Sequence, residues 1–376
     1  MRIIKVLIAL LFIVLLVSCE NNNQKIIKEK YIKQNEELYS IEYLPELSEL
    51  IIGYDYDIHE VYKNKLSMID NDINDFFTYT EHLYLFDLET HHIHEVTDID
   101  FKGKRIWSFI ELDNDEYLYV ELLAPNNEYG LINFNIKYQT KSEIYTIREG
   151  YINNDVLLLP EFMINNNDIY FKYSSMENSS FGNYTIEVIK YNNDTFSSIF
   201  KEVGRYDNFY LDDDCNHFTD NQIHFTNDVK MFITYSSDAT NIYANYINND
   251  GVISKKIPFD KGYASITPVG DKLIVTEWER VDGEDRLYSF IVNDKMHKNV
   301  LDYAYHYYRS CTLGDKTIAL PESALVKIYS NNSNDELYSY ALGELHAYRF
   351  YRKIDDNSVL LFDYDSYKLP LVLTLN

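Results

Sequence analysis

From about Ile41 to the C-terminus, apolar and polar residues alternate in short runs separated by Asn- and Asp-rich turns, with no long helical period. In Leu131-Ile132-Asn133-Phe134-Asn135-Ile136-Lys137, the residues Ile132, Phe134 and Ile136 share one face, the period of two that marks a half-buried strand. Similar runs span Glu116 to Leu123, Tyr184 to Tyr191, Lys272 to Trp278 and Arg286 to Val292. Asn249-Asp250-Gly251 reaches left-handed backbone easily, so it predicts a tight hairpin turn.

Five hairpins follow from this pattern: Leu83 to Leu88 with His92 to Val96, Leu131 to Lys137 with Glu143 to Ile147, and Tyr184 to Lys190 with Phe196 to Phe200. The others are Asn241 to Ile247 with Val252 to Ile257, and Arg286 to Val292 with His297 to Leu301. Their turns recur every 44 to 57 residues, and shorter strands such as Trp107 to Leu112 and Tyr117 to Leu122 precede several of them. A repeat of about 50 residues holding four strands is the size of a propeller blade. The expected fold is all-β, a β-propeller of six or seven four-stranded blades; a large β-sandwich or two β domains is the alternative. The runs Ser358 to Tyr364 and Leu369 to Leu375 are expected to form a last blade whose outer edge comes from Tyr39 to Leu44, which would leave no open sheet edge.

Ahead of this body, Met1-Arg2-Ile3-Ile4-Lys5 leads into an apolar run from Val6 to Val17 that stops at Leu16-Val17-Ser18-Cys19. The run falls short of the ~20 residues that a spanning helix needs. A basic start, a short apolar segment and a small residue before a cysteine resemble a bacterial lipoprotein signal peptide. The resemblance implies cleavage before Cys19, a diacylglyceryl anchor on that residue and residence on the extracytoplasmic face of the cell membrane. Two acyl chains make a stable anchor where one is marginal. Over residues 39–376 the layout also resembles bacterial β-propeller lipoproteins. It has no Trp-Asp repeat endings, double-glycine kelch pairs or sialidase boxes, so this second resemblance carries no residue over. The domain organisation expected is a signal peptide over 1–18, a lipidated cysteine and basic tether over 19–38, and the propeller-like domain over 39–376.

The chain carries 34 basic and 60 acidic side chains, a formal charge of −26. Loss of residues 1–18 removes Arg2 and Lys5 and no acid, leaving 32 against 60 and a charge of −28. This excludes nucleic acid as a partner, because phosphate tracking needs a basic surface. Divalent cations are the more natural ionic company. Lys25, Lys28, Lys30 and Lys33 reverse the sign just behind the anchor, either as a contact to anionic lipid heads or as a solvated linker.

Asp70-Asn71-Asp72-Ile73-Asn74-Asp75 with Glu81 follows the oxygen spacing of a calcium loop, so Asp70, Asp72, Asn74 and Glu81 are the candidate Ca2+ ligands. Asp75 stands where that motif wants glycine, and a plain polar loop is the competing reading. Further clusters are Asp212, Asp213, Asp214, His217, Asp220 and His224, and the hairpin-tip histidines His91, His92 and His94. Tyrosine is the compositional oddity at 36 residues, densest at Tyr303, Tyr305, Tyr307 and Tyr308 beside Arg309. Stiff, amphipathic tyrosine makes Tyr303, Tyr305, Tyr307 and Arg309 the candidate contact residues for a glycan or protein. Cys215 and Cys311 are the one internal pair able to bridge, and neither carries a nucleophile motif.

No catalytic set of defined spacing is present; Glu277 with Glu279 and Asp113 with Asp115 only share a strand face. The expected function is a membrane-anchored binding module for a protein, peptide or glycan. The alternative is a cell-envelope carbohydrate-active enzyme using carboxylates of the central channel.

Overall fold

The computed structural model describes residues 29–31, 39–51, 56–71, 79–113, 115–123, 131–153, 160–165, 168–176, 183–192, 195–205, 224–225, 230–235, 242–248, 250–258, 262–269, 272–282, 284–292, 298–300, 307–321, 325–330, 337–346, 348, 350–363 and 369–376. Apart from one short helix, Pro45–Ile51, every regular element among them is a strand. The strands form six four-stranded sheets and one of five.

The first sheet is Tyr56–Tyr62, Lys65–Asn71, Thr80–Asp87 and Ile93–Glu95; the second is Arg105–Asp113, Glu116–Leu123, Leu131–Gln139 and Ile144–Asn153. Glu161–Asn165, Asp168–Met176, Asn183–Asn192 and Thr195–Arg205 make the third, and His224–Phe225, Lys230–Tyr235, Ile242–Asn248 and Gly251–Lys256 the fourth. The fifth is Gly262–Val269, Lys272–Val281, Glu284–Val292 and Lys298–Val300. The sixth runs Tyr307–Leu313, Lys316–Pro321, Leu325–Ser330 and Leu337–His346. The seventh takes Phe350–Lys353, Ser358–Phe362 and Leu371–Leu375 from the C-terminus and Tyr39–Tyr43 from the N-terminal side.

All five hairpins read from the alternation form, each as the third and fourth strands of a sheet. The closing join forms as well: Tyr39–Tyr43 pairs antiparallel with Leu371–Leu375, which lies against Ser358–Phe362. One departure from uniform four-stranded sheets is Glu29–Tyr31, a piece of the expected tether, which pairs in parallel with Leu337–Ser339 on the outer edge of the sixth sheet.

The arrangement is propeller-like because the sheets pack face to face against their neighbours. Along Glu116–Leu123, Tyr117 and Tyr119 pack with Ile69, Leu83 and Leu85 of the first sheet, while Leu118, Val120 and Leu122 pack with Phe162, Ile169 and Phe171 of the third. Strand alternation thus sends successive residues into opposite seams. Equivalent seams join the third sheet to the fourth and the fourth to the fifth. Others join the sixth to the seventh and the seventh to the first. The first strand of each sheet is the innermost. Tyr56–Tyr62 touches Arg105–Asp113, Glu161–Asn165 and Phe350–Lys353, and Tyr307–Leu313 touches Gly262–Val269, His224–Phe225 and Phe350–Lys353, so first strands surround a common axis.

Cations stitch several seams. Arg352 of the seventh sheet donates to the carbonyls of Ile58 and His59 in the first. Lys63 Nζ reaches Leu112 O at 2.6 Å and Asp113 at 2.8 Å in the second, beside the Lys65–Glu111 pair. Arg148 of the second sheet meets Glu187 of the third at 3.1 and 3.3 Å, and Lys172 of the third donates to Ile233 O of the fourth at 3.3 Å. At Gly150 the second sheet comes close to the third. A β-carbon there would stand 2.3 Å from Ser175 Oγ and 2.7 Å from the Phe134 ring, so only glycine fits.

Candidate functional site

Bulges gather on the innermost strands. Pairing with the second strand slips between Ile58 and Val61, Ile106 and Ser108, Tyr263 and Ser265, and Tyr307 and Arg309. A bulge leaves a residue out of the ladder and re-aims its side chain, and bulges often stand beside binding sites. In the first and second sheets they bring His59 and Trp107 together, with ring centroids 6.2 Å apart in an edge-on arrangement. The Arg105 guanidinium lies 5.2 Å over the Trp107 ring. Arg352 grips the carbonyls of the bulged strand and rests 5.7 Å from the Phe362 ring.

His59 Nε2 is enclosed without a hydrogen-bond partner. Burial first, and then the charges of Arg352 and Arg105, push its pKa down to about 3. The imidazole is therefore neutral at physiological pH. An indole with a guanidinium over its face can hold a planar peptide or sugar face and donate to an oxygen of the ligand, with the enclosed imidazole packed edge-on against the indole. Sequence reading missed this group because His59 is far in sequence from Arg105 and Trp107, and the bulges interrupt the alternation that would assign faces.

The buried acids are structural partners. Glu121 is buried, which raises its proton affinity, but Asn135 at 3.0 Å, Lys104 at 2.9 Å and Lys137 at 3.2 Å outweigh that and hold it below the usual carboxylate range. Glu187 is likewise held down, its burial outweighed by Arg148, Tyr173 and Ser198. Its own burial first, and then its hydrogen bond to Glu187, push the Tyr173 hydroxyl upward. Glu277 is buried, while Asp113 and Asp115 are exposed and paired with Lys63 and Lys141 at 2.8 Å each.

Of the candidate calcium ligands, Asp70 and Glu81 come together, joined by His82; one ligand atom of each lies within 4.8 Å of the others. Asp72 and Asn74 lie outside the described residues. Of the candidate contact residues, Tyr307 and Arg309 flank the bulge on the innermost strand of the sixth sheet, while Tyr303 and Tyr305 lie outside the described residues. Cys19, Cys215 and the run from Asp212 to Asp220 also lie outside them. Cys311 is buried, and burial pushes its thiol up to about 12, which makes it inert as a nucleophile. His91 occupies a turn with φ of 57° and stacks on Phe86, with ring nitrogens 3.7 Å from Glu42 and Glu46. His92 and His94 are exposed. Compared with known families and characterised proteins, the chain matches no family model and no curated protein.

Proposed function

We propose that the chain is a membrane-anchored extracytoplasmic binding module: a seven-bladed ring, tethered through acylated Cys19, whose inner-strand bulges hold a protein, peptide or glycan partner without breaking a bond in it. The observation that carries this reading is the His59–Arg105–Trp107 group, an aromatic and cationic surface built by bulges on adjacent innermost strands. A broad aromatic contact with donors at its rim fits binding. A glycosidase instead needs one carboxyl kept protonated opposite a second carboxylate ~5 to 9.5 Å away. Asp87, Glu121 and Glu187 are all shifted toward the ionised form.

The tether and the binding surface are tested separately. Cys19→Ala is expected to abolish metabolic lipid labelling and to leave a longer precursor or a released protein on membrane fractionation; equal labelling of the variant would refute the anchor. For the surface, capture from cell-envelope extract and on a glycan array is expected to fall about tenfold for Trp107→Ala, as for a binding hot spot. The Tyr305→Ala, Tyr307→Ala double variant should also weaken capture, with the fold retained. Capture that ignores all of these changes would dismiss the surface. Hydrolysis of any chromogenic glycoside, lost on changing one channel acid, would replace binding by the carbohydrate-active reading.

A further inference from the structure

The second and third strands of the first sheet pair in register up to Asp70 opposite His82, after which the ladder slips and Asn71 faces Thr80. Glu81 is the extra residue of this bulge. In a regular strand Glu81 and His82 would point to opposite faces. A bulge sets two residues against one on the partner strand, which is how Glu81 and His82 both converge on Asp70, with ligand atoms within 4.8 Å of one another. Across the sheet, His82 Nδ1 stands 2.9 Å from Glu95 Oε1. In the tautomer that carries its proton on Nδ1, that carboxylate would fix the ring and leave Nε2 with the lone pair, the support that metal-ligating imidazoles commonly have.

We propose that Asp70, Glu81 and His82 form a binding site for a divalent transition metal ion of the zinc class, with Glu95 as the positioning residue for His82. The donor set decides the ion. Two carboxylates and an imidazole suit zinc or a neighbouring transition ion, whereas calcium takes six to eight oxygens. Tetrahedral zinc with bonds of ~2.0–2.2 Å needs ligand atoms about 3.5 Å apart. The present spacing closes to that by small rotations of side chains near the surface, and the acidic chain attracts the ion. Three protein ligands leave one position for water or for a donor from a partner. The site is independent of the binding surface on the innermost strands.

The test is calorimetric titration of the full chain, stripped with chelator, with Zn2+, Mn2+ and Ca2+ in turn. Zn2+ is expected to bind at one site per chain, tighter than Ca2+ by at least a hundredfold. His82→Ala and Glu81→Gln should each weaken Zn2+ at least tenfold, and Glu95→Gln by ten- to a hundredfold, the usual effect of removing such a support. Asp72→Asn should leave Zn2+ affinity unchanged. Circular dichroism checks that each variant is folded. Should any not fold, the visible spectrum of the unaltered chain with Co2+ serves instead: intense bands of a low-coordinate site that Zn2+ displaces support the proposal, and the weak bands of hexaaqua cobalt overturn it. Absence of saturable Zn2+ binding, Zn2+ binding indifferent to His82 and Glu81, or preferential Ca2+ binding that needs Asp72 would equally overturn it.

Discussion

Truncation after Asp355 is expected to abolish folding altogether: the product should be insoluble, or soluble only as aggregate without near-ultraviolet dichroism. The deleted residues include Ser358–Phe362 and Leu371–Leu375, two adjacent strands of the closing sheet. Val359, Leu360, Leu361, Phe362, Leu371 and Leu373 are all completely buried, and they serve two seams at once. Leu361, Leu371 and Leu373 pack toward the sixth sheet, and Leu360 and Phe362 toward the first. Removing one such side chain costs about 2–5 kcal/mol, so a handful exceeds the ~5–15 kcal/mol that holds a typical protein folded. The truncation also leaves Tyr39–Tyr43 with no strand to pair with and exposes a seam on each side of the gap. The milder Leu373→Asp should behave similarly, by placing a charge where both neighbours are apolar. Size-exclusion chromatography and thermal melts decide the matter. A monomeric truncate with a cooperative melt would mean that the ring does not depend on its closing sheet.

What was legible in the sequence follows from which strands are long and regular. The outer hairpins could be read because the third strand of each sheet is long enough to show alternation, although the fourth strands Ile93–Glu95 and Lys298–Val300 are only three residues long. The outer hairpin of the sixth sheet escaped, since six polar residues, 331–336, separate its strands in sequence and Gly343 interrupts the alternation of Leu337–His346. Innermost strands were the least legible. His224–Phe225 and Phe350–Lys353 are too short to establish a period, and Tyr56–Tyr62 carries a bulge that breaks it. The site suffered for the same reason. Asp70 and Glu81 could be paired by loop spacing, but His82, next in sequence to Glu81, belongs to the opposite face unless a bulge is present. A short strand lying in parallel against Leu337–Ser339 was equally hidden, because Glu29–Tyr31 shows only as part of a lysine-rich segment.

The second large effect is acid destabilisation through His59. Burial, with Arg352 and Arg105 beside it, lowers its pKa to about 3 from an ordinary 6.5, so the folded chain keeps the imidazole neutral while the unfolded chain takes a proton on acidification. For a group depressed in this way, the contribution to stability is complete above pH 6.5 and is lost progressively as pH falls toward 3. The slope in that window approaches 1.4 kcal/mol per pH unit, a loss on the order of 2 kcal/mol between pH 6.5 and 4.5. Glu121 and Glu187, held below the usual carboxylate range, act in a separate window: their contribution is present above the unfolded carboxyl value of ~4.3 and disappears as pH falls below it. Denaturant titrations at pH 7, 6, 5, 4 and 3 on the unaltered chain and His59→Gln separate the two. The variant should lose the steep fall between pH 6.5 and 4.5 whatever its absolute stability at pH 7, and keep the fall below pH 4.5. Parallel curves for the two proteins would show that His59 takes its proton in the folded state, and that the inner-strand group does not enclose the imidazole as the geometry requires.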